Sequence, residues 1–174
     1  MSTSAVTLRW PQRASRSTIH CGVRALVFTL RTMRPEKRPH RSGALTFTGS
    51  YEGAGGTVAG QVLFRGARLR FTAPASDLHT LILDAETNTL TGNITPNHEL
   101  WVRAGTPIHS RLAVEGSVTN RGQLRLESVG GYWHSSVVAA PTNSSNPTTP
   151  RLVNALDGRV IARAGTGGLR TIEV

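Results

Sequence analysis

Residues 113–128 read AVEGSVTNRGQLRLES. Val114 and Val118 flank Gly116, and Leu124 and Leu126 follow the short polar stretch Asn120-Arg121-Gly122. Apolar residues at every second position mark a strand with one buried face. Close relatives of the phrase stand at 57–71 (TVAGQVLFRGARLRF) and at 89–103 (TLTGNITPNHELWVR). Each is read as a strand, a turn bearing Gly or Asn, and a return strand. Gly122 can supply the positive φ of a three-residue hairpin loop. Gly60, Gly92 and Gly116 fall at the centre of the first strand of each phrase, where glycine marks a bend, a bulge or a close backbone approach.

The same grammar extends in both directions. LTFTGSY at 45–51 alternates. The apolar pairs around 65–68, 84–88 and 119–123 read as hairpin arms. LVNAL, then Asp157-Gly158, then RVIAR has the form of two strands joined by a two-residue type I′ turn. Residues 171–174 (TIEV) read as an added edge strand. The expected fold is all-β, an antiparallel meander forming a barrel or sandwich. The alternative is a β-solenoid. Read as coils, the near-repeats ending N-x-G-x-L-x-L look like those of bacterial surface adhesins or bactofilin-type filaments. Against it, Gly60, Gly92, Gly116 and Gly158 lie 32, 24 and 42 residues apart, and solenoid repeats keep a steadier period.

Charge divides the chain. Residues 1–43 carry Arg9, Arg13, Arg16, Arg24, Arg31, Arg34, Lys37, Arg38 and Arg41 against Glu36, a balance of +8, while residues 44–174 balance at +2. A basic arm on a near-neutral body points to a polyanionic partner. Those nine cations are the expected polyanion contacts, with nucleic acid or neighbouring subunits as partners. An arm poor in acids and rich in Arg and Ser also has the composition of an organelle import sequence, to be cleaved from an accessory subunit. Within the arm, Val23, Leu26, Val27 and Leu30 follow helical spacing, yet the same letters suit a strand. The organisation expected is an arm at 1–43, a β body at 44–140, a Pro/Ser/Thr/Asn linker loop at 141–150, and a C-terminal hairpin with an edge strand at 151–174. No apolar run approaches the ~20 residues of a membrane span, and 25–30 is shorter than a secretory core of ~7–15 residues. Cys21 is alone, so no disulfide forms within the chain.

Motifs of chemistry are sparse. GAGG at 53–56 is not followed by the Lys of a phosphate loop, and no Gly-x-Ser-x-Gly elbow occurs. The six histidines lack ligand spacing, although His98, His109 and His134 could converge in a closed barrel. Glu99, Glu115 and Glu127 alternate with apolar residues and are expected to face solvent beside Arg103, Arg111, Arg121 and Arg125. Tyr132, Trp133 and His134, after two glycines, form the one aromatic cluster, a candidate ligand or interface site able to stack on a sugar or a base. No catalytic residue, metal or cofactor is expected. The function expected is a non-enzymatic structural or assembly subunit, coat- or decoration-like. Its basic arm on a β barrel resembles small viral coat and phage decoration proteins in plan, which implies a virion-type or cytoplasmic assembly of many copies. A glycan- or small-ligand-binding β module is the second expectation.

Overall fold

The computed structural model describes residues 19–20, 45–58, 62–84, 86–105, 107–141 and 149–174. Its strands are β1 (Ile19–His20), β2 (Leu45–Ala54), β3 (Thr57–Val58), β4 (Val62–Ala73), β5 (His79–Asp84), β6 (Glu86–Thr91) and β7 (His98–Ala104). They continue with β8 (Ser110–Glu115), β9 (Ser117–Asn120), β10 (Gln123–Ser128), β11 (Ser135–Ala139), β12 (Arg151–Asn154), β13 (Arg159–Ala162) and β14 (Arg170–Glu173). No helix occurs among the described residues, so none there is long and apolar enough to cross a membrane.

The antiparallel meander is overturned. The main sheet has ten strands in the order β13-β10-β7-β5-β4-β6-β8-β11-β14, with β2 also on β4. Every pairing within it is parallel. A small second ladder, β9 with β12, is parallel too, and among the described strand pairs only the short β1–β3 is antiparallel. The start of β4 pairs with β5 and its middle with β6, so two wings of sheet diverge from one strand. The result is a barrel-like wall around one core, laid down as the chain winds. Circuits opening at His79, His98, Gln123 and Arg159 each place their strands on those of the circuit before. A parallel pair needs a long connection between its strands, and here the remainder of each circuit is that connection.

The expected hairpins are therefore corners. Asp157-Gly158 joins β12, which lies on β9, to β13, which lies on β10, and the two strands do not pair with each other. Likewise 119–123 carries the chain from β9 to β10 on another side of the wall, and 65–68 lies inside the single strand β4. Gly122 is not in the positive-φ region. Its role is clearance: a Cβ there would stand 2.4 Å from the His98 carbonyl oxygen and 2.7 Å from that of Thr95, both on the previous circuit. Gly92 and Gly116 do have positive φ, 82° and 70°, and turn the chain at one corner of successive circuits; Gly60 lies outside the described residues. The uneven spacing has a local cause. Leu81, Leu100, Leu124 and Val160 occupy one column yet lie 19, 24 and 36 residues apart. Between Leu124 and Val160 the chain adds the loop at 129–134 and most of the expected linker, of which 142–148 lies outside the described residues, while the ladder keeps its register.

Alternate side chains point inward and stack. Val62, Leu81, Leu100 and Leu124 form one buried column, and Phe64, Leu83, Val102 and Leu126 form another. Leu69, Leu90 and Val114 line the second wing. Phe47 stacks on Phe64 at 5.3 Å, and Tyr51 meets Phe64 edge-on at 5.1 Å. Each such side chain removed from water contributes about 1.5–3 kcal/mol.

Candidate functional site

One corner of the wall gathers His109, Trp133 and His134. It is built from residues 107–109, 129–134 and 163–169, which follow β7, β10 and β13 and so lie at the same corner in successive circuits. His109 and His134 stack with ring centroids 5.0 Å apart and planes 7° from parallel. Trp133 meets His109 edge-on, also at 5.0 Å. The backbone N–H of His134 donates to His109 Nδ1 at 2.8 Å, and the N–H of Leu169 donates to His134 Nδ1 at 2.8 Å. The imidazoles therefore tie three circuits together. The Trp133 carbonyl accepts from the Ser128 hydroxyl and from the Gly168 N–H. Tyr132 is 91 % exposed, and Ile108, Val129 and Leu169 on the same group of loops are exposed as well.

The cluster Tyr132-Trp133-His134 is thus in one place, and His109 joins it. The sequence offered His98, His109 and His134 as a set that a closed barrel could bring together, and two of them, His109 and His134, do meet. His98 does not join them. It is buried at the start of β7, 4.3 Å from Phe71 and 5.9 Å from His79 between ring centroids, with Nδ1 2.8 Å from the Thr95 hydroxyl. Burial, then the neighbouring His79, pushes its pKa down to about 4. Burial also lowers that of His79, against a smaller opposing effect of Asp77.

Of the glutamates expected to face solvent beside Arg103, Arg111, Arg121 and Arg125, Glu99 and Glu127 pair with Arg125 but are not solvent-facing. Glu99 is buried and accepts from the Thr80 hydroxyl at 2.5 Å. Arg125 lies between Glu99 at 3.8 Å and Glu127, with side-chain exposures of only 14 % for Arg125 and 16 % for Glu127. Its guanidinium covers the Trp101 ring at 3.9 Å, and Arg103 approaches the same ring at 5.2 Å. Asp84 bridges Arg65 at 2.8 Å and Arg103 at 3.6 Å. Glu115 pairs with Arg68, and Arg121 with Asp157 at 2.9 Å, whose carboxyl pKa is lowered by that hydrogen bond. The Trp101 sandwich was not foreseen; its signal is the register that sets Trp101 beside Arg125 on adjacent strands.

A groove of about 380 Å³ passes Asn97, Arg121, Asp157 and Arg159 at another corner. Among the described residues no three His, Cys, Asp or Glu side chains stand close enough to hold a metal ion. The arm cations Arg9, Arg13, Arg16, Arg24, Arg31, Arg34, Lys37, Arg38 and Arg41 lie outside the described residues. No protein family, curated protein or solved structure matches the chain.

Proposed function

We propose that the protein is a non-enzymatic structural subunit that assembles with further copies of itself, as coat or decoration subunits do. One observation carries this reading: the buried columns reach exposed side chains on the circuit of β12–β14. Leu124 is fully buried and Val160, next in its column, is 41 % exposed; Val137 is fully buried and Ile172, beyond it, is 44 % exposed. Val153, Leu156 and Val174 are exposed on the same circuit. Among the described residues β13 and β14 each pair on one side only. An apolar outer circuit with open strand edges is a template for another strand. The basic arm fits the same reading as a contact to nucleic acid or to a neighbouring subunit.

Size-exclusion chromatography with light scattering, recorded at protein and nucleic-acid wavelengths, tests both parts. The full chain is expected to grow in mass with concentration. A Val160→Lys, Ile172→Lys double variant, folded by circular dichroism, is expected to stay monomeric. Nucleic acid bound by the arm should leave as salt rises, because affinity falls with counterion release. A full chain that is monomeric at every concentration overturns the assembly reading.

A further inference from the structure

We propose that the His109–His134 corner is a carbohydrate-binding site, taking a sugar by its ring oxygens and hydroxyls on two imidazole donors and by its apolar face on Tyr132 and Trp133. The chemistry begins with the Nδ1 atoms. Each accepts a backbone N–H at 2.8 Å, so each neutral ring must carry its proton on Nε2. Nε2 is then a donor and not a ligand. A metal ion bound there would force the proton onto Nδ1, against the N–H of His134 or Leu169, so the pair suits an oxygen acceptor and not a cation.

Neither Nε2 makes a hydrogen bond among the described residues. The rings are held parallel, 5.0 Å apart, so two donor-bearing imidazoles stand close enough to serve one ligand. Linking the circuits uses Nδ1 alone and explains neither the paired Nε2–H groups nor the exposed rim beside them. Tyr132 at 91 % exposure, with Ile108, Val129 and Leu169, gives an apolar surface next to directed donors. Sugars present that combination, a flat C–H face bordered by oxygen acceptors, and an aromatic ring with a polar tip matches it. The partners are in place before binding, because the Trp133 carbonyl is held by Ser128 and Gly168 and less ordering is left to the ligand.

The test uses the full chain with cellohexaose and chitohexaose as neutral probes and hexagalacturonate as an acidic one, by isothermal titration calorimetry and by electrophoresis in gels holding the matching polysaccharide. Saturable binding to the neutral or the acidic probe supports the proposal and assigns the kind of sugar. Tyr132→Ala should weaken it about tenfold or more, the loss of one stacking platform. His109→Asn keeps an acceptor near the place of Nδ1 and deletes the Nε2–H, so the fold should hold while binding falls by a similar factor. Binding to no probe overturns the proposal, as does a Tyr132→Ala variant that changes the oligomeric state and not sugar binding, which would make the rim a protein interface. The outcome is independent of assembly, because Val160→Lys, Ile172→Lys should bind sugar as the parent does.

Discussion

The Asn120 side-chain amide donates to the Asn154 side-chain carbonyl oxygen at 2.8 Å, one circuit further along the chain. The same nitrogen donates to the Arg159 carbonyl at 3.0 Å, and the Asn120 oxygen accepts the Gly122 N–H at 3.1 Å. Asn120 is fully buried, and its amide satisfies backbone groups that the corner takes out of the ladder. Asn120→Ala should therefore cost about 2–3 kcal/mol, since it strands buried partners. Asn120→Asp should cost more at neutral pH, because a carboxylate meets two acceptors without a donor. Asn154→Ala, at an exposed position, should cost about 1 kcal/mol. Urea midpoints at constant m-value measure all three.

Gly122 and Gly92 should answer to Ala for different reasons. At Gly122 the new methyl would stand 2.4 Å and 2.7 Å from backbone oxygens of His98 and Thr95, which cannot swing away. Gly122→Ala should thus separate two circuits and cost about 3 kcal/mol or more, the upper range of overpacking. At Gly92 the space is open and the backbone carries the penalty, with φ at +82°. Gly92→Ala should cost about 1–2 kcal/mol. Equal losses at the two sites would mean that close approach does not define the Gly122 corner.

The contrast between those glycines also explains what the sequence could and could not convey. Alternation over 124–126 or 100–102 marks strands with one inward face, and the inward residues are the ones found buried. Alternation is silent on the neighbour, because the same residues face inward whether the adjacent strand runs parallel or antiparallel. Asp157-Gly158 bends the chain sharply in either case; a hairpin and a corner differ in where the strands lie afterwards, which depends on contacts with Asn120 and Gln123 far back in the chain. Loops of unequal length then hide the repeat. The aromatic cluster at 132–134 was legible because it is contiguous. Its partner His109 was legible only as one of three histidines that could converge, since the circuit alone decides that His134 meets His109 and not His98.

Arg125 and Arg68 test how burial sets the worth of an ion pair. Arg125 is nearly enclosed by Glu99, Glu127 and the Trp101 face. Arg125→Met keeps the stem but leaves two carboxylates without their cation, and should cost about 3–5 kcal/mol. The Arg68–Glu115 pair has side-chain exposures of 57 % and 46 %. Arg68→Met should change stability by at most about 1 kcal/mol. The Arg125 effect should also persist at high salt, since screening acts weakly on enclosed charges. Paired denaturation curves at low and high ionic strength separate the two cases.

Acid should weaken the fold through His98 before the carboxylates are titrated. Its folded pKa is held at about 4, against 6.5 for the free side chain. Above pH 6.5 the ring is neutral in both states and the full stability is present. Below that pH the unfolded chain takes up a proton that the folded chain refuses, so stability falls as the pH approaches 4. At 1.36 kcal/mol per pH unit the loss reaches about 3 kcal/mol. His79, also lowered by burial, acts in the same direction. His98→Phe keeps an aromatic ring beside Phe71 but has no proton to gain, so between pH 6.5 and 5 it should lose stability less steeply than the parent, with His79 supplying the slope that remains. Denaturant midpoints of both proteins over that range give the comparison. A parent and variant that fall in parallel would show that His98 takes its proton in the folded state, and so that solvent reaches the ring between Phe71 and His79.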